Sequence, residues 1–153
     1  MNNYPSIEQL EINTDRSATD RELVYEFLSR ESYWARDIPR ALFDKSLENS
    51  LCFNAFLNQQ QVGFARVITD FATYGYLADV FVIEVCRGKG ISKRLMQAIS
   101  THPELQMLRR ITLATSDAHE LYRQFGFSEL KSPEIFMEKH QPGLYQKLKS
   151  AQN

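Results

Sequence analysis

Residues 76–96 constrain the fold of this chain more than any other stretch. Tyr76-Leu77-Ala78-Asp79-Val80-Phe81-Val82-Ile83 is a nearly unbroken apolar and β-branched run, the pattern of a central strand covered on both faces. It stops at Arg87-Gly88-Lys89-Gly90, after which Ile91, Leu95, Met96 and Ile99 recur at helical spacing. A buried strand that turns through glycines straight into an amphipathic helix implies a sheet with helices packed on it. The chain is therefore expected to be α/β (α+β), with a mixed sheet. The turn also carries chemistry. Glycine opens backbone geometry closed to other residues and lets a ligand approach the amides. The first helical turn leaves amide hydrogens unpaired and presents the positive end of its dipole. Together they make a phosphate cradle, around which Arg87, Lys89, Lys93 and Arg94 gather positive charge. The Walker pattern is missing, and Lys93 stands where a dinucleotide fingerprint needs its third glycine. Taken alone, these residues also fit a solvated basic helix start.

The remaining pattern supplies the other elements. Leu10 and Ile12 alternate with polar neighbours in a short first strand. Thr19-Asp20-Arg21-Glu22 has the form of a capping box, and Leu23, Val24, Phe27 and Leu28 follow at helical spacing. Pro39 is placed to open a second helix whose face is Leu42, Phe43 and Leu47. Between the helices, the loop Ser32–Asp37 carries the only tryptophan. Leu51–Leu57 and Val62–Thr69 read as strands joined by the turn Asn58-Gln59-Gln60-Gln61. Phe71–Tyr74 then connects to the central strand. Arg110–Thr115 is a further strand, Asp117–Phe125 a short helix with Gly126 as its left-handed stop, and Phe127–Met137 a final strand interrupted by Pro133. The polar residues after about 141 are expected to be loosely attached. The predicted order is β-α-α-β-β-β-α-β-α-β in one domain of 153 residues.

Charge and special residues exclude several functions. Eighteen Lys+Arg against nineteen Asp+Glu leave −1, so no strong field draws the chain to nucleic acid or an anionic membrane. Basic residues at 89, 93, 94, 109 and 110 lack the interleaved aromatics that stack bases. No apolar run approaches the roughly 18 residues of a membrane span. Met1–Ser6 lacks the basic and apolar parts of a leader. Cys52 and Cys86 are too few and too far apart for a zinc framework, and three scattered histidines suggest no metal site. The expectation is a cytoplasmic protein with reduced, buried thiols.

Arg87-x-x-Gly90-x-Ser92 resembles the Arg/Gln-x-x-Gly-x-Gly/Ala signature of the GNAT superfamily of acyl-coenzyme A-dependent N-acetyltransferases. Ser92 stands where that family usually has glycine or alanine. Ala118-His119-Glu120-Leu121-Tyr122, followed by Gly126-Phe127, is similar to a second landmark of the family. More narrowly, Ser32-Tyr33-Trp34, Val62–Val67, Ala78–Val82 and His102–Gln106 resemble a bacterial GNAT subgroup. The resemblance implies a splayed central sheet with helices on both faces, and acetyl-CoA as cosubstrate without a metal. It implies that Arg87 and the amides of Gly88, Lys89, Gly90, Ile91, Ser92 and Lys93 hold the pyrophosphate. Val80, Phe81 and Val82 would offer strand-edge groups to the pantetheine arm and the acetyl oxygen; without the resemblance they are plain core. Thr115 stands where many members have an asparagine on the pantetheine.

The resemblance makes Tyr122 the general acid for the departing thiolate, a thiol having a pKa near about 8.5 and a tyrosine near about 10. Its other reading is a ring that only packs. For the base, Glu84 is taken first, with Asp79 and His119 as alternatives; their other readings are solvation at the strand end for Glu84, pairing with a basic neighbour for Asp79 and a place on the helix surface for His119. Tyr33 and Trp34 would wall the acceptor site. The implied reaction is acetyl transfer to a primary amine, on a small molecule or a peptide, by direct attack in a ternary complex. The partner state is a monomer or homodimer. The alternative is a catalytically silent acyl-CoA-binding sensor or partner subunit.

Overall fold

The computed structural model describes residues 4–152. Residues 1–3, part of the stretch read for a leader, lie outside the described residues. Five strands form one sheet in the order β1 (Glu11–Asn13), β2 (Leu51–Leu57), β3 (Gln60–Thr69), β4 (Tyr74–Val82) and β5 (Arg110–Thr112). The first four run antiparallel, and β5 lies parallel to β4. Helix α1 (Arg21–Glu26) continues into a π-helical turn over Phe27–Glu31, and α2 is Arg40–Glu48. The other helices are α3 (Ile91–Thr101), α4 (His119–Arg123) and α5 (Leu144–Ala151).

The central strands β2 to β4 are covered on both faces, which is why their sequences are rich in apolar residues, whereas β1 and β5 stay partly exposed. On one face α3 crosses β1 to β4, and Ile91, Leu95, Met96 and Ile99 pack with Phe53, Ala55, Leu57, Val62, Val67 and Val82. On the other face α1 and α2 bring Val24, Leu28, Phe43 and Leu47 against Cys52, Phe64 and Phe81. Phe43, Phe53 and Phe64 are fully buried, and truncating such a ring to alanine costs about 3–5 kcal/mol. The mixed sheet with helices on both faces agrees with the expectation from sequence.

Several boundaries differ for identifiable reasons. The helix at residue 21 is capped by Asp20, whose carboxylate accepts from the Leu23 amide at 3.1 Å. The Thr19 hydroxyl instead donates to Asn54 Oδ1 at 2.9 Å. Thr19 belongs to a buried polar cluster in which the Gln61 side chain donates to Asn54 and to the Gly63 carbonyl and accepts from the Asp20 amide. That use of Gln61 explains why the β2–β3 turn is shorter than expected. Only Asn58 and Gln59 turn, at φ of 50° and 65°, a two-residue connection of the kind that matches strand twist. Leu42, expected in the α2 core face, is exposed.

The C-terminal third departs further. Pairing in β5 ends at Thr112 rather than Thr115 because the chain bends away from β4. The helix expected over 117–125 is confined to α4, and Gly126, at φ 89°, ends it as expected. Among the described residues, none between 127 and 137 joins the sheet; the segment holds only a 3-10 turn at Pro133–Ile135. Pro133 has no amide for a ladder, and Glu129 is held back onto α4 by Arg123. Residues after 141, expected to be loose, contain α5. Lys149 pairs with Asp37 at 3.1 Å, the Gln146 amide donates to the Arg36 carbonyl and to Asp37, and Tyr145 packs on the α1–α2 cluster.

Candidate active site

The site is built where β4 and β5 part. Their parallel pairing covers only Tyr74↔Arg110, Gly75↔Ile111 and Tyr76↔Thr112. Beyond Tyr76, among the described residues, only β3 flanks β4. A bulge sits at the same place: Ala65 of β3 faces both Asp79 and Val80, between the pairs Arg66↔Ala78 and Phe64↔Phe81. Asp79 takes up the extra residue with a left-handed backbone, φ 57°, and such a bulge sharpens the local twist. Past the bulge, the Ile83 amide donates to the Val62 carbonyl at 2.9 Å. By strand alternation, the backbone groups of Val82 then point to the open side. A cavity of about 510 Å³ fills the gap, with Tyr76, Asp79, Val80, Leu113, Thr115 and Tyr122 in its wall.

One end of this cleft leads to the glycine turn. After a 3-10 turn at Glu84–Cys86, Gly88 and Gly90 adopt φ of 78° and 86°, and Gly90 becomes the left-handed N-cap of α3. Among the described residues no side chain caps that helix start, so the first-turn amides of Ile91, Ser92 and Lys93 have no capping partner among them. Lys93 and Arg94 are exposed on that turn, Ser92 is half-buried, and Lys89 lies over the Tyr4 ring at 5.9 Å. Arg87 also reaches back to the sheet. Its Nε donates to the Val82 carbonyl at 3.0 Å, tying the turn to the open edge of β4.

Along the cleft, Tyr122 projects from α4 and is 8% exposed. It lines both the 510 Å³ cavity and a second of about 520 Å³ that includes Phe127 and Leu130. Burial, with smaller contributions from Tyr33 and Asp117, pushes its phenol up to about 12. The ring therefore keeps its proton throughout the neutral range, the state a proton donor requires. The Thr115 hydroxyl accepts from the amides of Asp117 and Ala118 at 3.3 and 3.1 Å, holding the turn into α4. Val80 lines the cavity, whereas Phe81 is buried against Phe27, with ring centroids 3.9 Å apart.

The loop from Ser32 to Asp37 closes the other end. The Tyr33 hydroxyl accepts from the Ser116 amide at 3.1 Å, and the Tyr33 and Trp34 rings meet edge to face at 4.9 Å. Both rings line the cavity, with Tyr76 and Tyr145. Glu84 is exposed on the turn after β4 and does not line this cavity; His119 is exposed on α4. Asp79 pairs with Arg66, whose Nε lies 2.5 Å from Asp79 Oδ2; the sequence allowed a basic partner for it without identifying Arg66. The available signal was a charge inside an apolar strand, since buried charges are paired. Sequence reasoning missed Tyr145, because its place depends on α5 folding back from the chain end. Burial pushes the Cys52 thiol up to about 11 and also raises Cys86, so neither is a ready nucleophile. Among the described residues, no cluster of three or more His, Cys, Asp or Glu is placed to hold a metal. No helix among them is long and apolar enough to cross a membrane.

Residues 48–129 match the family model described as Acetyltransferase (GNAT) domain. A solved GNAT-family protein of Xanthomonas campestris pv. campestris is 50% identical and superposes with a TM-score of 0.87, covering 89% of this chain and 96% of that one. FG08082 of Gibberella zeae, which carries an acetyltransferase name, is 27% identical over 131 residues, 72% of this chain and 74% of that protein. At the level of fold, a Clostridium acetobutylicum protein solved with acetyl-CoA is similar, with 17% identity and a TM-score of 0.57 over 86% of this chain and 96% of that one.

Proposed function

Because the chain belongs to the GNAT family of acetyltransferases, we propose that it moves an acetyl group from acetyl-CoA to a primary amine by direct attack within a ternary complex. The observation that carries this reading is the parting of β4 from β5 at Tyr76, with the uncapped start of α3 at one end of the gap and Tyr122 along it. A thioester cofactor needs both features, a positive cradle for its phosphates and a strand edge with unpaired groups for its arm.

In this proposal the amides of Gly88 to Lys93 hold the pyrophosphate, with Lys89, Lys93 and the remaining nitrogens of Arg87 adding charge. The open edge at Val80–Val82 orients the pantetheine and stabilises charge on the acetyl oxygen as an oxyanion hole does. Phe81 keeps that edge in place by stacking on Phe27. The Thr115 hydroxyl is occupied by two amides, which leaves the contact with the pantetheine to its backbone. Tyr122 gives its proton to the departing thiolate sulfur. The amine enters beside the packed rings of Tyr33 and Trp34, and Glu84 collects its proton through water from the exposed turn. Holding both reactants in one cleft supplies up to about 7–11 kcal/mol of the barrier. The acceptor class is a small-molecule or peptide amine.

The test has two parts. Acetyl-CoA at a hundredfold excess over its dissociation constant stabilises a one-site binder by about 2.7 kcal/mol, read as a rise in melting temperature. Thiol release is then followed with spermidine, tryptamine, kanamycin, a lysine-containing peptide and a peptide with a free N-terminus. No thermal shift with acetyl-CoA or CoA in folded protein overturns the reading. Binding without thiol release from any of these amines favours the silent sensor instead.

A further inference from the structure

We propose that Asp79 is a positioning residue that couples the acceptor-side loop to the open edge of β4, so that one carboxylate aligns both halves of the transfer reaction. This rests on the acetyl-transfer reading above. The starting point is a double anomaly. Asp79 is a carboxylate in an apolar strand with a side chain 7% exposed, and it adopts a left-handed backbone at φ 57°. Burying an ion is unfavourable, and a left-handed backbone is uncommon outside glycine, although Asp and Asn adopt it most readily. Strain of this kind collects where function over-determines the local structure.

What offsets it is a pair of contacts with opposite destinations. Oδ2 accepts from Arg66 Nε at 2.5 Å, and Arg66 lies on β3 directly beside the bulge. Arg66 Nη1 in turn donates to Ser50 Oγ at 2.9 Å, and that hydroxyl donates to the Ser46 carbonyl of α2 at 2.6 Å. This side of Asp79 fixes the bulge to the body of the sheet. Oδ1 accepts from the Trp34 indole Nε1 at 2.7 Å, which fixes the loop that walls the acceptor end. The neighbouring Tyr33 reaches across to the Ser116 amide beyond β5. The loop thus spans the mouth of the cleft, anchored on β4 by Trp34 and on the β5 side by Tyr33.

The geometry separates Asp79 from a proton-transfer role. Both of its oxygens are engaged, one by a guanidinium, and Arg66 is itself only 14% exposed. The bulge decides where the backbone at Val80 and beyond is aimed, and the indole decides where the acceptor wall stands. Asp79 makes these one adjustment. Phe27 reinforces the link, stacking on Phe81 and lying 6.3 Å from Trp34.

The experiment is a double-mutant cycle in steady-state kinetics with Trp34→Phe, Asp79→Asn and the pair, using acetyl-CoA and whichever of the five amines named above is turned over fastest. Phenylalanine keeps an aromatic wall and removes only the indole donor. Asparagine tolerates the left-handed backbone and removes the negative charge that faces Arg66. Each single variant is expected to lower kcat at least tenfold with the KM for acetyl-CoA within threefold of wild type. The double variant should be no worse than the poorer single, because both break the same link. Wild-type kcat in Trp34→Phe overturns the proposal, as do losses that multiply in the double variant or a KM for acetyl-CoA that rises as far as kcat falls. If Asp79→Asn fails to fold, Trp34→Phe decides the matter alone, since Trp34 is 42% exposed and its ring is replaceable without unfolding the core. A wild-type protein that binds no acetyl-CoA, or turns over no amine, removes the acetyl-transfer reading and this inference with it. Normal wild-type turnover with unaffected variants removes only the inference.

Discussion

Replacing Gly90 with alanine tests the link between backbone geometry and cofactor binding. Gly90 sits at φ 86°, where an L-residue with a Cβ is disfavoured by roughly 1–2 kcal/mol. Space is not the problem: a Cβ there would meet Ile7 Cδ1 at 3.4 Å, an ordinary contact. Against the strain stands a gain of about 0.4–1 kcal/mol from the stiffer unfolded chain. The net expectation is a destabilisation of about 1 kcal/mol, or a melting temperature lower by about 2–4 °C for a domain of this size. Binding should suffer more than stability, because a turn that relaxes toward negative φ re-aims the amides of Ile91, Ser92 and Lys93. Losing one hydrogen bond to a charged group costs about 1.5–3 kcal/mol, which is about a 10- to 150-fold weaker CoA affinity by calorimetry. Gly126→Ala is the control. It has a similar φ of 89° and open space around the new methyl, so its stability cost is comparable, but it lies at the far end of α4. Gly126→Ala should bind CoA as wild type does. Wild-type CoA affinity in Gly90→Ala, or equal loss in both variants, would refute this link.

Other outcomes follow from the same structure. Tyr122→Phe should lower turnover by about 10² or more while CoA affinity by calorimetry changes less than twofold; unaltered turnover removes Tyr122 as the acid. Alkaline titration should show one tyrosine ionising near 12, against about 10 in the unfolded chain. Its folded pKa is raised, so the associated stabilisation is complete below about pH 10 and disappears as pH rises through about 12, a loss of about 2–3 kcal/mol readable in alkaline urea titrations. Lys149, followed by Gln146, holds the half-buried Asp37 carboxyl below its usual range. That contribution to α5 docking is present above about pH 3.9 and is lost as pH falls through the depressed value. Hydrogen exchange in residues 144–151 should therefore accelerate in acid before exchange in α3; simultaneous acceleration would contradict it.

The placement of the central strand, the glycine turn and α3 was legible because each rests on local physics. Continuous apolar residues mark β4, left-handed backbone demands Gly88 and Gly90, and the Ile91–Ile99 stripe marks a helix face. The same holds for Pro39 before α2 and Gly126 after α4. Thr19 misled because its capping-box spacing is a local signal, whereas its hydroxyl is claimed by Asn54, thirty-five residues away. Phe127–Met137 misled because apolar, β-prone residues describe a willingness to pair and carry no information about whether an edge is within reach. At the site, Tyr33, Trp34, Val80, Thr115 and Tyr122 meet around one cavity, while the glycine turn follows the end of β4, tied to it through Arg87 and the Val82 carbonyl. Glu84 lies apart from that cavity, since one residue of strand continuation more or less decides whether it faces the cleft or solvent.

By itself, then, the sequence determined the elements whose cause lies within a few residues: the buried strand, the turn that only glycine can make, and the amphipathic helix with its uncapped start. Tertiary structure alone decided how far β4 stays with β5, which residue absorbs the bulge and what satisfies the carboxylate buried there. Those outcomes depend on Arg66, thirteen residues from Asp79, and on Trp34, forty-five residues away. A buried charge announces that it needs partners; only the packed chain determines which partners come within 3 Å.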